Sequence, residues 1–192
     1  MLYTPQIQKA ILLAIETHEI NEKQKRKGKD IPYLTHPLTV GIILSLAQAK
    51  EDVIIAGILH DTIEDSIEEK KVTKEKISEE FNENVAQLVL SVTEQDKSLT
   101  WEERKREALN HIGNFSNDSV LVKSADLISN VSEIKDDYDK DGNEMFNKFK
   151  APKEKTLESY ENVAKTLISK WPESPLVNDL NNILESIKLM KD

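Results

Sequence analysis

Apolar residues recur at intervals of three or four along most of the chain, which is the spacing of one face of an α-helix. The first such face is Ile7, Ile11 and Ala14, and Thr4-Pro5 before it is typical of an N-cap followed by proline in the first turn. The pattern predicts a helix from 5 toward 23 and others over 37–46, 73–81, 85–92, 100–113, 117–131, 153–170 and 175–190. No alternating strand pattern and no internal repeat is present, so we predict an all-α fold.

The segment from 120 to 131 is apolar on nearly all sides, which is typical of a central helix. Asp126 lies inside it, with Lys123 one turn before and Asn130 one turn after. A buried carboxylate needs a partner, and either an internal salt bridge or a metal ion could provide one. The acidic stretch 136–142 that follows is predicted to be a solvated loop.

A second apolar segment, 53–59, runs directly into four polar residues that carry chemistry: His60, Asp61, Glu64 and Asp65. If the helix continues through them, Glu64 lies one turn above His60 and Asp65 one turn above Asp61. The pattern is also consistent with a helix that becomes polar where it meets water. Further candidate ligands elsewhere in the chain are needed to choose between the two interpretations.

Composition narrows the class of protein. A chain of 192 residues with 38% hydrophobic and 32% charged residues is predicted to form a single domain with its own core. The absence of cysteine excludes disulfides and thiolate metal sites. With no signal peptide and no apolar run of membrane-spanning length, we expect a cytoplasmic protein that does not bind membranes. A net charge of -9 argues against nucleic-acid binding but permits a small polyanionic ligand.

The four histidines of the chain fall into two groups. His18 and His111 have polar neighbours near predicted helix ends, and we expect both at the surface. The other two are set against apolar sequence, as are two aspartates, and imidazole and carboxylate together suit a divalent ion such as Mn²⁺, Fe²⁺ or Zn²⁺. The candidate metal ligands are His36, His60, Asp61 and Asp126.

A basic tract precedes the first of these histidines: Lys23, Lys25, Arg26, Lys27 and Lys29 occur within seven residues. Cations are favourable at the C-terminal end of a helix, so the tract could simply be a solvated helix end. It could also bind phosphate groups if it borders the metal site.

The order His36, His60-Asp61 and Asp126 resembles the H…HD…D signature of HD-domain metal-dependent phosphohydrolases. The sequence is most similar to small alarmone hydrolases and to the hydrolase domain of Rel/SpoT enzymes, over roughly residues 5 to 168. Three elements carry this resemblance: Pro-Tyr-x-x-His-Pro at 32–37, His-Asp-Thr-Ile-Glu-Asp at 60–65 and Lys-Ser-Ala-Asp at 123–126.

The resemblance implies a Mn²⁺-dependent enzyme that removes the 3′-pyrophosphate of guanosine tetra- or pentaphosphate, leaving GDP or GTP. It implies that His36, His60, Asp61 and Asp126 hold the metal, and that Glu64 and Asp65 orient water and transfer protons. The substrate contacts that it implies are Lys25, Arg26 and Lys27 near the guanine or its phosphates, Lys97 and Arg104 at the pyrophosphate, Asn130 at the ribose and Tyr160 at the other end of the nucleotide.

The sequence departs from the family pattern at three places. Leu127 and Ser132 stand where the family usually has basic residues, and the loop from Arg26 to Tyr33 is one residue longer. Two alternatives therefore stay open: an HD nucleotidase acting on deoxynucleotides or NADPH, and an HD module that binds nucleotide without turnover. In either case we expect an HD-type helical bundle over 1–170, with a C-terminal helix in 171–192 packed on it, and the oligomeric state is not predicted.

Overall fold

The fold is built from helices, and the computed structural model describes residues 3–94 and 99–191. The α-helices in the described ranges are α1 Pro5–Ile15, α2 Thr35–Leu46, α3 Glu51–Leu59, α4 Thr62–Asp65, α5 Lys74–Glu80, α6 Glu83–Val92, α7 Trp101–Ile112, α8 Asn117–Asp141, α9 Lys153–Lys170 and α10 Val177–Lys191. A π-helical turn covers Glu16–Asn21, and 3-10 turns cover Glu68–Lys70 and Gly142–Lys148. Within the described ranges there is no β-strand beyond an isolated bridge between Lys25 and Pro32, which confirms the all-α prediction.

Helix α8 is the central element, as its apolar sequence predicts. It packs against α2, α3 and α6 in one part of the core and against α9 and α10 in the other. Val122 and Ala125 are buried in the first part, and Val131 and Ile134 in the second. Because both cores converge on it, α8 has a fixed position from which to present polar side chains to a site between the helices.

The acidic stretch after this apolar segment is helical, so the loop predicted at 136–142 is wrong. One of its carboxylates, Asp137, has cationic partners from other segments: Lys29 Nζ lies 2.6 Å from Asp137 Oδ1, and Lys148 pairs with the other oxygen. The helix ends at Asp141 because Gly142 adopts a φ of +61°, which a residue with a side chain rarely does.

Helices α2 and α3 approach each other closely at two glycines. An ideal Cβ placed on Gly57 would lie 2.3 Å from Leu44 Cδ1, and one on Gly41 would lie 2.7 Å from Ile58 Cγ1. This close packing brings the start of α2, which carries His36, beside the end of α3, which leads into His60.

The helical continuity considered for residues 53–65 is interrupted at His60 and Asp61. Two carbonyl groups at the end of α3 accept hydrogen bonds from side chains: Gly57 O from His60 Nδ1 at 2.8 Å, and Leu59 O from the Thr62 hydroxyl at 2.7 Å. The Asp65 amide still donates to the Asp61 carbonyl at 2.9 Å, so Asp61 and Asp65 retain the one-turn relation.

The helix starts and stops read from the sequence are largely confirmed. Thr4 accepts from the Ile7 backbone N–H as the predicted N-cap, and Thr100 and Glu103 form a capping box at the start of α7. Helix α8 begins at Asn117, with Ser116 as its N-cap.

Helix α10 packs against α8 and α9, with Leu180, Ile183 and Ile187 buried in the shared core. The division of the chain at residue 170 stays a prediction. Among the described helices, none is long and apolar enough to cross a membrane.

Candidate metal centre and its cleft

Two buried imidazoles face each other between α2 and the end of α3. His36 Nε2 lies 3.3 Å from His60 Nε2, and neither residue is more than 4% exposed. The opposite nitrogen of each ring is already bonded: His60 Nδ1 donates to the Gly57 carbonyl, and His36 Nδ1 lies 2.9 Å from the Ser129 hydroxyl. A carbonyl can only accept, so the proton of neutral His60 is on Nδ1, and Nε2 is free to act as a ligand.

Two carboxylates complete the cluster. Asp126 Oδ1 lies 3.3 Å from His36 Nε2 and 3.8 Å from His60 Nε2. Asp61 Oδ2 lies 3.0 Å from His60 Nε2 and 3.8 Å from His36 Nε2. The donor atoms of His36, His60 and Asp126 all lie within 4.8 Å of one another, so one ion could contact all three.

The electrostatics of this cluster favour a cation. Burial disfavours the imidazolium form, yet the Asp61 carboxylate, assisted by Asp126, raises the pKa of His60 to about 9. Burial opposes ionisation of the aspartates too, but His60 keeps the pKa of Asp61, and Lys123 that of Asp126, well below the ordinary range. The raised pKa shows that the ionised carboxylates attract positive charge at the His60 ring, and a divalent ion, which imidazole and carboxylate donors suit, would take the place of the proton.

The structure shows how the two interpretations of Asp126 fit together. Lys123 Nζ donates to Asp126 Oδ2 at 2.7 Å, and this is the internal salt bridge. Asn130 Nδ2 donates to Oδ1 at 2.6 Å, on the side that faces the histidines. One oxygen is therefore neutralised within the helix while the other is directed toward the candidate metal position.

A cleft with two lobes opens from this centre. The first lobe, of about 410 Å³, is bounded by the metal cluster together with Glu64, Arg104, Lys105, His111 and Phe115. The second, of about 470 Å³, is bounded by Lys25, Arg26, Lys27, Trp101, Lys148, Phe149, Lys150 and Tyr160. Tyr33, Arg104, Lys123, Asp126 and Asn130 border both lobes, so the two are continuous beside the metal cluster.

The candidate substrate residues that the structure describes all line this cleft. Lys25, Arg26, Lys27 and Tyr160 border the second lobe, and Arg104 and Asn130 border both; Lys97 lies outside the described residues. Their roles in binding stay predictions.

Some of these residues hold one another in place. Arg26 donates from Nε to Glu133 at 2.7 Å and from its terminal nitrogen to Asn130 at 2.8 Å, so Asn130 links Arg26 to Asp126. Arg104 pairs with Glu94 at 2.9 Å. The basic tract therefore borders the site instead of forming a solvated helix end.

The two candidate proton-transfer residues occupy different positions. Glu64 lines the first lobe together with His60 and Asp61. Asp65 is 20% exposed at its side chain, and its Oδ2 accepts a hydrogen bond of 3.0 Å from Gln24 Nε2.

The surface position predicted for His18 is wrong, because this residue is fully buried. Its ring centroid lies 5.0 Å from that of Tyr33, and its Nδ1 lies 2.8 Å from Gln24 Oε1. The segment from 24 to 33 folds back over the π-helical turn and covers it, which no local pattern around residue 18 indicates. His111 is exposed at the surface as predicted, with its ring against Phe115.

Two residues with roles at this site were not singled out from the sequence. The Tyr33 hydroxyl donates to Asp61 Oδ2, and burial, with the Asp61 charge, raises the pKa of Tyr33 well above its usual value, so the hydroxyl stays a donor. Ser129 supports His36. Spacing alone could have suggested both: Tyr33 stands three residues before His36, and Ser129 shares a helical face with Asp126.

Fold and site together define an all-helical protein whose candidate divalent-metal centre is drawn from α2, the α3–α4 junction and α8. A sequence model of the HD domain matches residues 10–153, and the chain belongs to the HD-domain family, as the resemblance predicts.

Three curated relatives are named guanosine-3′,5′-bis(diphosphate) 3′-pyrophosphohydrolase. That of Xenopus tropicalis is 38% identical over 120 residues, covering 61% of this chain and 64% of the relative. That of Danio rerio is 35% identical over 130 residues, covering 65% of this chain and 69% of the relative. That of Aquifex aeolicus (strain VF5) is 35% identical over 134 residues, covering 69% of this chain and 18% of the much longer relative. The chain thus spans about two thirds of the animal relatives it matches.

Two solved structures share the fold. One, described as a metazoan orthologue of SpoT that hydrolyses ppGpp, has a TM-score of 0.75 at 23% identity and covers 95% of this chain and 96% of that one. The other, a Listeria monocytogenes protein, has a TM-score of 0.71 at 26% identity, and the match covers 82% of this chain and 99% of that one.

Proposed function

We propose that this protein hydrolyses the 3′-pyrophosphate of guanosine tetra- or pentaphosphate in the cytoplasm, releasing pyrophosphate and leaving GDP or GTP. The observation that carries the proposal is a His/Asp cluster with the donors of a divalent-metal site, at the junction of a cleft whose second lobe is basic. Relatives with 35–38% identity that carry the name of this reaction support the choice of substrate.

His36, His60, Asp61 and Asp126 would hold the metal ion, for which we propose Mn²⁺. When bound, such an ion supplies Lewis acidity to a phosphoryl oxygen and makes water more acidic. The protein's own part is to orient these donors: the Gly57 carbonyl and Ser129 fix the two imidazoles, and Tyr33 fixes Asp61.

We assign the role of general base to Glu64, and its position at the lobe that contains the metal cluster supports this assignment. It would take a proton from the water that attacks the phosphorus next to the ribose 3′-oxygen. As the new oxygen–phosphorus bond forms, the bond from phosphorus to the 3′-oxygen breaks, and that oxygen needs a proton. We assign its delivery to Asp65, which would then act as the general acid.

The second lobe suits the remaining phosphates of such a nucleotide. Burial lowers the pKa of Lys27, and so do the charges of Lys150, Lys148 and Lys105, which indicates a concentrated positive potential in a protein of net charge -9. Within residues 3–94 and 99–191, no carboxylate lies within 4 Å of the Lys27 or Lys150 ammonium. Lys27 instead lies 4.6 Å from the centre of the Phe149 ring.

The test is a nucleotide panel with the Mn²⁺-loaded protein and three variants. We expect pyrophosphate from guanosine tetraphosphate. Glu64→Gln should retain metal while hydrolysis falls by about 10²- to 10⁴-fold, the usual contribution of a general base. Asp126→Ala should lose metal and activity together, and Glu69→Gln, on an exposed turn away from the cleft, should behave as the wild type.

Other outcomes would contradict the proposal in distinct ways. Phosphate release from deoxynucleotides or NADPH, without pyrophosphate from the guanosine 3′-diphosphates, would identify a nucleotidase. Tight nucleotide binding that Glu64→Gln leaves unchanged, with no turnover of any nucleotide by the wild type, would identify a binding module.

A further inference from the structure

A π-helical turn at the end of α1 buries a histidine next to Gln24, which borders the second lobe of the cleft. The turn covers Glu16–Asn21, and His18 within it is fully buried. The chain then reverses at Lys23, whose φ is +51°, and the backbone N–H of Gln24 donates to the backbone carbonyl of His18 at 2.8 Å. Short π-helical segments are frequent at functional sites, and here the segment brings His18 and Gln24 side by side.

Their side chains form a chain of hydrogen bonds that ends at Asp65. Gln24 Nε2 donates to Asp65 Oδ2 at 3.0 Å, and Gln24 Oε1 lies 2.8 Å from His18 Nδ1. Since the amide oxygen can only accept, the proton of His18 must lie on Nδ1. His18 Nε2 is buried without a partner in the described part of the chain, and an N–H there would be unsatisfied, which favours the same tautomer.

We infer that His18 is a positioning residue, which fixes the Gln24 amide so that its NH₂ group faces the Asp65 carboxylate. Without the Nδ1–H donor, the side-chain amide of Gln24 could rotate by about half a turn and present Oε1 to Asp65. That oxygen would repel the Asp65 carboxylate. The inference rests on the proposed function, in which Asp65 delivers a proton. The competing view is that His18 only fills space beside Tyr33.

Three substitutions separate these roles. His18→Asn keeps an N–H donor near the position of Nδ1, His18→Gln moves the donor toward the position of Nε2, and His18→Leu keeps volume without a donor. We expect kcat for guanosine tetraphosphate to fall about 3- to 10-fold in the Leu and Gln variants, the rate equivalent of about one hydrogen bond, with KM within about 2-fold. The Asn variant should stay within about 2-fold of wild type in both constants.

A double-mutant cycle shows whether the effect passes through Asp65. In an Asp65→Asn background, His18→Leu should cause no further loss of kcat, because the group it positions is already gone. A space-filling role predicts instead that the two losses multiply, and that the Asn and Gln variants are impaired alike; either result would overturn the inference.

A measurement independent of turnover is the tautomer of His18 in the wild-type protein, read from ¹⁵N chemical shifts. The Nδ1–H form is expected, and the Nε2–H form would contradict the inference even if all variants fail to fold. If the wild type hydrolyses no 3′-diphosphate nucleotide, the proposed function fails. If it does and Asp65→Asn impairs it, unchanged kcat in His18→Leu overturns this inference alone.

Discussion

Replacing Gly57 with alanine is expected to destabilise the protein, although alanine is the better helix former. Gly57 lies inside α3, where Gly→Ala ordinarily gains about 1 kcal/mol. Here the new Cβ would lie 2.3 Å from Leu44 Cδ1, far inside the normal carbon–carbon separation of about 3.5–4 Å. Leu44 is fully buried and cannot turn into solvent, so α2 and α3 must move apart.

The size of the effect follows from two opposing contributions. Overpacking a buried contact typically costs about 1–3 kcal/mol, and a contact this short belongs in the upper half of that range. After the gain in helix propensity, the net loss should be about 1–2 kcal/mol, which corresponds to a fall in Tm of about 2–8 °C for a chain of this size. Mn²⁺ should bind more weakly as well, since the Gly57 carbonyl holds the His60 ring.

Thermal unfolding and calorimetric Mn²⁺ titration measure both effects, and Leu44→Ala supplies the control. That substitution alone should cost about 2–5 kcal/mol, because it leaves a cavity. In the double variant the Gly57 Cβ occupies part of that cavity, so the combined loss should be at least about 1 kcal/mol smaller than the sum. Additive losses, or a Gly57→Ala variant more stable than the wild type, would refute the reasoning.

Three further results are expected. Mn²⁺ at 100 times its Kd should stabilise the wild type by about 2.7 kcal/mol, and Asp126→Ala should abolish this shift in Tm. Lys150→Ala should raise KM for guanosine tetraphosphate about 3- to 10-fold with little change in kcat, whereas Lys165→Ala, outside the cleft, should not. Burial raises the pKa of Asp137, but hydrogen bonds from two lysines outweigh the burial, and the pKa in the folded protein is lowered overall. The Asp137 carboxylate therefore stabilises the fold above about pH 4, and this contribution is lost as the pH falls through the pKa of the folded state. Urea unfolding between pH 6 and 3 should therefore be less pH-dependent in Asp137→Asn.

Each of the three expected results would be contradicted by a specific outcome. Stabilisation of Asp126→Ala by Mn²⁺ would place the ion elsewhere. A fall in kcat without a change in KM in Lys150→Ala would exclude a simple binding role for the second lobe. An Asp137→Asn variant as acid-sensitive as the wild type would show that its ion pairs contribute nothing to folding.

The sequence was informative where local pattern decides the structure. The periodic helices and the Thr4 N-cap depend on neighbours within a turn, and they were predicted well. The four candidate ligands also meet in space, because polar residues set against apolar sequence have few ways to be buried without partners.

Two errors, the loop predicted at 136–142 and the surface position predicted for His18, involve partners outside the local helical turn. Asp137 stays in a helix because Lys29 and Lys148 neutralise it, and neither lies within a turn of it. His18 is buried because Tyr33 and Gln24 fold over a π-helical turn for which the sequence has no evident signal. Charge and polarity near a residue predict exposure on average, but a specific ion pair or ring contact reverses the outcome.

The interruption at His60 shows why local helix propensity must fail at this site. In an unbroken helix the Gly57 carbonyl would accept from the Asp61 amide, and His60 Nδ1 would need another partner. Because the Gly57 carbonyl accepts from the His60 imidazole instead, the helix loses one backbone hydrogen bond. The bond from the imidazole fixes the orientation and the tautomer of the ring, and Nε2 faces His36. Thr62 compensates at the Leu59 carbonyl, and the helix resumes in time to present Glu64. The break in the helix is thus the means by which the ring of the candidate ligand His60 is fixed by the backbone of its own helix.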